Sequence, residues 1–436
     1  MLDRPLIDVT IPETEGWQDN LAARILLIMT GLLLFRMGFN TWAALMPEFY
    51  LGGAATVLLF AMGAQLLIIA VADVDLERWG PAIAYAVLGV VLLALIMALY
   101  RGWLDKIQTD ALLFSRAAVE GLVTGQNPYT VDMQPWIDSW RGPQWSTPTT
   151  EGGIVRSLSY PGGAVLWFLP QFALVGETPW GIRLTLVLAA LATGAVVTAS
   201  MPARLAIAGP ASLFVARNLL MTAAGGVLWP LWVLPTAIAT RAWVGGRWLR
   251  AGLALGIAAG TKQLIWAAAP FLLVWALREE RIALSRVAAG ATLGFAALNL
   301  PFALWNWQAW LAGTIRPVSS GPDLVFQGVG VATFPVLGYQ LARWWFLLAV
   351  AAVVTIALTA YTLYFDRLKW TAWTLPPAIM LFHSRSLTSY FVSFAPLAVL
   401  VATAHMGRLR ADDVPLFVTT EPAWRHFRRR LEAIRE

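Results

Sequence analysis

Residues 81–100 read PAIAYAVLGVVLLALIMALY, and this stretch decides the class of fold. It contains no charged side chain, and about 20 apolar residues are what an α-helix needs to cross a bilayer. Similar stretches give about ten predicted crossings, which begin near residues 21, 50, 81, 161, 181, 224, 282, 342, 370 and 386. The sequence therefore predicts an all-α, polytopic transmembrane helical bundle.

The composition supports this interpretation. Of the 436 residues, 58% are hydrophobic and 13% are charged, whereas soluble domains carry about 25% charged residues. We expect one transmembrane domain over residues 21–406, between a cytoplasmic segment of residues 1–20 and a basic cytoplasmic tail of residues 407–436. Because residues 1–20 are acidic and interrupted by proline, they do not resemble a signal peptide, and we expect the first helix to be retained.

Cysteine and histidine counts limit the chemistry. The chain has no cysteine, which excludes disulfides, thiolate metal sites and cysteine nucleophiles. No two of the three histidines, His383, His405 and His426, are spaced as metal ligands, so we predict neither a metal nor another cofactor. The net charge is +6. In a membrane protein, such an excess of positive charge more often reflects basic cytoplasmic loops and contact with anionic lipids than binding to nucleic acid. We therefore expect membrane lipids as partners and no nucleic-acid role.

Clusters of arginine and lysine predict the sidedness, because such clusters concentrate in cytoplasmic loops. We expect four of them in the cytoplasm: residues 241–250, 278–286, 367–369 and 408–435. This places the loops 101–160 and 307–341 outside. Two segments must then enter and leave the membrane on one side, namely residues 251–277, broken at Lys262, and residues 203–221, broken at Gly209-Pro210. Broken helices at membrane depth are buried in protein or line a cavity, so two short helical hairpins and an internal polar cavity are predicted.

The stretch LDKIQTDALLFSRAAVEGLVTGQNPY, residues 104–129, follows a predicted span directly. Its apolar residues recur at helical spacing and predict an external amphipathic helix in the membrane interface: Ile107, Ala111, Phe114, Ala118 and Leu122. Asp110 lies at the border of this stripe, where a carboxylate would point toward the bundle and could act as a base. The alternative is that Asp110 caps or solvates the helix. Gly125 suits the helix end, and Asn127-Pro128-Tyr129 predicts a turn.

Several cations fall on the predicted outer face. Lys262 is the strongest candidate for a site, because a lysine in an apolar hairpin is costly unless it meets water, a carboxylate or an anionic ligand. A structural salt bridge is its alternative role, and Arg217 could instead snorkel to the interface. Arg316 and the pair His383 and Arg385 add positive charge on the same face. Together these groups indicate recognition of a phosphate.

The order of these features resembles the GT-C superfamily of polytopic glycosyltransferases, and most closely its polyprenyl-phosphate-sugar-dependent mannosyltransferase branch. The matching residues span 81–406 in this order: Asp110 with Gly125-Gln126-Asn127-Pro128-Tyr129, Tyr160-Pro161, Ala251-Gly252 through Thr261-Lys262, Asn299-Leu300-Pro301-Phe302, and His383 to Pro396. The chain departs from the usual family layout by two extra spans before the first external loop, and by YPGG at residues 160–163 where YPP is commoner.

The resemblance implies a function. It implies inverting transfer of a sugar, a mannose-like hexose or a pentose, from a polyprenyl-phosphate donor to a lipid, glycan or protein acceptor at the extracytoplasmic face of the cell membrane. By match with the family motif, Asp110 is the catalytic base or orients the acceptor. The remaining candidates bind the donor phosphate or the substrate: Lys262, Arg316, His383, Arg385, Arg217, Gln126, Asn127, Tyr129 and Tyr160. The Tyr160 ring is also compatible with an ordinary position in the aromatic belt of the membrane interface.

Two other classes of protein remain open. A transporter or flippase of an anionic lipid-linked sugar would also need a cavity with cations, but such proteins often contain paired repeats, and none is visible here. A structural subunit of a membrane complex would accommodate the 23 tryptophans but leaves the buried charges without a role. An acid beside an anionic substrate favours catalysis over permeation.

Overall fold

The computed structural model describes residues 17–45, 50–100, 109–139, 147, 154–176, 179–214, 219–279, 281–315, 327–339 and 341–407. Most of this part of the chain is helical. The first helices run in chain order as follows: α1 Trp17–Leu45, α2 Tyr50–Val71, α3 Leu76–Tyr100, α4 Asp110–Val123, α5 Gln134–Ser139, α6 Gly163–Leu166 and α7 Leu169–Val175.

The middle of the chain contains two broken segments. The helices here are α8 Pro179–Ser200, α9 Ala208–Phe214, α10 Leu219–Ala224, α11 Trp229–Val244, α12 Trp248–Ala259, α13 Ala269–Glu279, α14 Arg281–Trp305 and α15 Trp307–Ile315. Short 3₁₀ helices, Ala203–Leu205 and Gln263–Ala268, precede α9 and α13. Both segments that were predicted to form hairpins thus consist of short helical pieces.

The last part of the chain adds α16 Thr333–Val336, α17 Arg343–Leu363, α18 Phe365–Leu368, α19 Leu375–Met380, α20 Thr388–Val392 and α21 Ala395–His405. A 3₁₀ helix, Lys369–Trp373, lies between α18 and α19. Two short strands, β1 Gln327–Gly328 and β2 Arg385–Ser386, pair in parallel with Gln327 opposite Arg385. Strand β1 therefore anchors the loop that carries Arg385.

Seven helical segments among the described residues are long and apolar enough to cross a membrane: Asn20–Ala43, Gly52–Val71, Leu76–Leu99, Trp180–Ser200, Arg281–Trp305, Trp344–Leu363 and Thr388–His405. This identifies an all-α membrane protein, as predicted. The predicted crossings that begin near residues 161, 224 and 370 are shorter helices. Helix α11, for example, has 16 residues and contains Pro235. Ten full-length spans are therefore not observed in this part of the chain.

Glycines bring α12 and α14 into close contact. A Cβ atom on Gly252 or Gly256 would meet the backbone of Val287 or Ala291, and one on Gly294 would meet the backbone of Leu253. Small residues permit such close approach of helices in membranes. The contacts advance along both helices in the same direction, so α12 and α14 are parallel. The chain must therefore return between them through α13, which makes residues 248–279 a helical hairpin with Lys262 between its arms.

Helix α4 corrects the prediction of an interfacial helix. It begins at Asp110, because the backbone and hydroxyl of Thr109 are both bonded to the carbonyl of Gly225 and hold Thr109 in an extended conformation. Nine of its residues are buried: Ala111, Leu112, Leu113, Phe114, Ser115, Ala117, Ala118, Val119 and Gly121. Helix α4 packs against α6 and α8. Other helices therefore cover faces of α4 that the apolar stripe predicted to lie at the membrane surface.

The contact between α12 and α14 can be tested with one methyl group. Gly256→Ala places a Cβ against the Ala291 backbone, and overpacking of this kind typically costs about 1–3 kcal/mol. We expect a lower thermal unfolding temperature in detergent. Gly89→Ala is the matched control, because nothing lies within 4 Å of its Cβ position and alanine favours helix. Equal stability of the two variants would contradict the close contact.

Candidate functional site

A cavity of about 1040 Å³ lies inside the helical bundle. Five residues that were proposed for the site from the sequence line it together: Asp110, Tyr160, Lys262, His383 and Arg385. They come from the start of α4, the turn before α6, the break after α12 and the loop around β2. Sequence positions more than 270 residues apart thus meet at one cavity.

Asp110 is connected to Arg385 through Thr147. The Thr147 hydroxyl donates a hydrogen bond to Asp110 Oδ2 over 2.6 Å. Its oxygen accepts a hydrogen bond from Arg385 Nη2 over 3.1 Å. The hydroxyl therefore lies between the carboxylate and the guanidinium, and it joins the predicted base to a predicted phosphate ligand.

Burial raises the pKa of the Asp110 carboxyl above its ordinary value, because the charged form loses solvation. The Thr147 hydrogen bond, the charge of Arg385 and a hydrogen bond from the backbone of Ala111 favour the carboxylate and oppose this shift. The net direction is upward. A carboxylate whose pKa is closer to neutral is a better general base.

Lys262 projects from the break of the 248–279 hairpin, where its backbone is extended. Its Nζ lies 3.8 Å from the centroid of the Tyr160 ring, which is a cation–π contact. The charges of Asp110 and Arg385 both act on Lys262. In the described part of the chain Lys262 forms no salt bridge, so its alternative role as the partner of a structural carboxylate receives no support.

Asn299 holds together the two segments that present Tyr160 and Lys262. Its Oδ1 accepts hydrogen bonds from the Gly162 backbone N–H over 2.8 Å and from Trp310 Nε1 over 3.2 Å. Its Nδ2 donates to the carbonyl of Gly260 over 3.2 Å and to that of Phe295 over 3.1 Å. The turn before α6 and the end of α12 are therefore both fixed to α14.

Further hydrogen bonds support the same turn. Gln263 Nε2 donates to the carbonyls of Ser159 and Thr314 over 3.2 and 3.0 Å. Trp167 Nε1 donates to Thr261 Oγ1 over 3.1 Å. These contacts hold the backbone on both sides of Lys262, and of the residues that form them only Thr261 was named in a sequence motif.

His383 supports Arg385 from within the loop. The Arg385 backbone N–H donates to His383 Nδ1 over 3.1 Å, and His383 is 9% exposed. Ser386 accepts a hydrogen bond from the Gly330 N–H at its Oγ over 2.8 Å. Together with the β1–β2 pairing, these bonds position the guanidinium at the cavity.

Gln126, Asn127 and Tyr129 were expected to contact substrate, but they do not line the cavity. Asn127 Oδ1 accepts from the Tyr129 N–H over 3.0 Å and so stabilises the turn after α4. The Tyr129 hydroxyl donates to the Tyr160 carbonyl over 2.8 Å. The geometry gives Asn127 and Tyr129 a positioning role, and Gln126 is exposed at the turn. Arg217 and Arg316 lie outside the described residues, and their roles stay predictions.

The lining residues that were not identified from the sequence include Thr147, Arg36 and Asn40. Thr147 gives no sequence signal, because it is a neutral residue in a polar loop. Arg36 does give one, since a charge within an apolar span is a candidate for function. Among the described residues, no group of three or more His, Asp or Glu side chains is placed to hold a metal ion.

Comparison with protein-family models, with curated proteins and with solved structures gives no match for this chain. Fold and site together define a helical membrane protein with a charged internal cavity. Its function has to be inferred from the chemistry of that cavity.

Proposed function

We propose that the protein is a membrane glycosyltransferase. It moves a mannose-like hexose or a pentose from a polyprenyl-phosphate donor to a lipid, glycan or protein acceptor, with inversion at the anomeric carbon. The observation that carries the proposal is the convergence of Asp110, Lys262 and Arg385 on one cavity. A base and two cations are the groups that such a transfer requires.

In the proposed reaction, the acceptor hydroxyl oxygen attacks the anomeric carbon and forms the new glycosidic bond. The bond from that carbon to the phosphate oxygen breaks, and the lipid phosphate leaves with the bonding electron pair. Asp110 takes the proton of the acceptor hydroxyl. Lys262 and Arg385 stabilise the negative charge of the departing phosphate. The donor phosphate is already an anion before the bond breaks, and the two cations balance the further negative charge that it gains.

The rest of the cavity favours a lipid donor. Beyond the polar cluster, its lining is mostly apolar and is contributed by α1, α3, α10, α11 and α17. Apolar walls suit a prenyl chain, whereas a nucleotide would leave many polar groups without partners. The sugar and phosphate would then lie at the polar end of the cavity, with the hydrocarbon chain along the walls that α3, α10 and α11 contribute.

The proposed sidedness follows from the direction of the helices. Arg247 precedes α12 and Arg281 begins α14, and the two helices are parallel. The basic residues thus lie at one end of the pair, while Lys262 and Asn299 lie toward the other. With the basic end in the cytoplasm, the cavity is on the extracytoplasmic side.

The alternative function is a transporter or flippase for an anionic lipid-linked sugar. A cavity with cations also fits that role. The hydrogen bond from Thr147 to Asp110 favours transfer, because it orients a carboxylate toward the place where an anionic substrate would have to pass. Reconstituted vesicles that translocate the donor without sugar transfer would support the alternative.

The first test concerns the base. Asp110→Asn removes the charge and keeps the shape, so we expect loss of sugar transfer by purified protein given a polyprenyl-phosphate-linked hexose. Folding and donor binding should persist. Asp138→Asn is the matched control, because Asp138 is exposed and bonded only to Gln134 among the described residues. Substantial transfer by Asp110→Asn would remove Asp110 as the base.

The second test uses pH. Thr147→Val removes a hydrogen bond that favours the Asp110 carboxylate, so the pKa of Asp110 should rise further. Since the base acts only when deprotonated, the acid limb of the rate–pH profile should move to higher pH. A valine variant that lowers the rate equally at every pH would show that Thr147 does not act through this ionisation.

The third test concerns Lys262. Loss of a charged partner from a desolvated ion pair costs about 3–5 kcal/mol, so Lys262→Ala should reduce transfer by more than about a hundredfold. Lys369→Ala is the control, because Lys369 also lies over an aromatic ring, that of Trp370, but does not line the cavity. Unchanged donor affinity with a lowered unfolding temperature would assign Lys262 a structural role instead.

A further inference from the structure

Helix α1 presents a second polar group to the same cavity. Leu33, Arg36, Met37, Asn40 and Thr41 line it, and their spacing puts them on one face of α1. Arg36 lies within the apolar segment Asn20–Ala43, about 10 Å along the helix from Ala43. The middle of that segment is about 7 Å away, so Arg36 is closer to the middle than to the end, and its long side chain can extend toward the nearer membrane surface.

Arg36 differs from the other arginine in this apolar segment. Arg24 donates hydrogen bonds to the carbonyls of Ala70 and Ala72 over 2.7 and 2.9 Å. These bonds pair two backbone carbonyl groups at the C-terminal end of α2. No hydrogen bond or ion pair joins Arg36 to another residue in the described part of the chain. A guanidinium within a membrane span is costly unless water or an anion solvates it, and Arg36 faces the cavity.

Among the described residues, no counter-ion for Arg36 lies in the cavity. The charged side chains that line it are Arg36, Asp110, Lys262 and Arg385. The single carboxylate is already bonded through Thr147 to Arg385. The described lining is thus electropositive and favours an anionic ligand at Arg36.

Arg36 and Lys262 belong to different walls. Helix α1 packs against α2 and α9, whereas the 3₁₀ helix after Lys262 packs against α12, α13 and α19. The charges that act on Lys262 are those of Arg385 and Asp110, and Arg36 is not among them. Arg36 and the cluster proposed for transfer therefore lie on different walls of the cavity.

The surroundings of this site indicate a lipid. Leu347, Val350 and Val354 of α17 line the same cavity, and only 11% of the apolar segment of α17 is buried in the protein. Helix α17 packs against α13, α18 and α19 and does not share the neighbours of α1. The apolar wall is thus formed by helices that also face the bilayer, from which an acyl or prenyl chain can enter.

We propose that Arg36 and Asn40 bind the phosphate group of an anionic membrane lipid whose chains lie along the apolar wall formed by α1 and α17. The guanidinium supplies paired charge-assisted hydrogen bonds, and the Asn40 amide, one turn further along, can donate another. This site is separate from Lys262 and does not require sugar transfer by the protein.

The test is lipid binding to the purified full-length protein, followed by native mass spectrometry. Phosphatidylglycerol is the anionic probe and diacylglycerol the uncharged one. We expect Arg36→Ala to weaken phosphatidylglycerol binding about tenfold or more and to leave diacylglycerol binding unchanged, while Arg36→Lys restores part of the affinity. Arg286→Ala is the matched control, because Arg286 is an exposed arginine on α14 outside the cavity.

Three results would overturn the proposal. Equal phosphatidylglycerol binding by wild type, Arg36→Ala and Asn40→Ala would show that water alone solvates Arg36. Loss of that binding in Lys262→Ala would mean one shared site. Protection from thermal unfolding by inorganic phosphate at the same concentration as by phosphatidylglycerol would assign the site to a soluble anion. These readouts are independent of sugar transfer, so failure of the proposed enzyme activity leaves them interpretable.

Discussion

The side-chain amide of Asn299 is the group on which the arrangement of the site depends. Asn299 is 1% exposed, and an amide buried in an apolar bundle is costly unless its donors and acceptor are paired. Its four hydrogen bonds pair them with Gly162, Gly260, Phe295 and Trp310. The same bonds hold the backbone beside Tyr160 and Lys262, so the requirement to satisfy one buried amide sets the geometry of the predicted phosphate site.

The glycines of α12 and α14 make that bonding possible. A helix pair with larger side chains at Gly252 and Gly256 would be held apart, and the Asn299 amide would not reach the carbonyl of Gly260. The parallel direction of the two helices adds a second consequence. The chain has to return through α13, and the break that this return requires is where Lys262 leaves the helix. The close packing at Gly252 and Gly256 thus determines where the charge of Lys262 lies.

The sequence could predict the parts of this structure that depend on hydrophobicity and isolated charge. The long spans and the broken hairpin at Lys262 follow from apolar runs and their interruptions. The burial of α4 could not be predicted, because alanine, serine and glycine fit a protein interior as well as a water-facing surface. Thr147 was missed for another reason. Its role comes entirely from contacts with Asp110 and Arg385, and no residue pattern along the chain encodes them.

The Thr147 hydroxyl lies between the Asp110 carboxyl and the Arg385 guanidinium, so these two groups line one cavity without forming a direct salt bridge. A direct salt bridge between Asp110 and Arg385 would strongly favour the carboxylate and occupy the guanidinium. With the hydroxyl between them, desolvation remains the largest influence on the pKa of Asp110, which stays raised. The threonine still fixes the orientation of the carboxylate through a 2.6 Å hydrogen bond. The proposed base and the proposed phosphate ligand are therefore joined through a hydroxyl rather than by a direct ion pair.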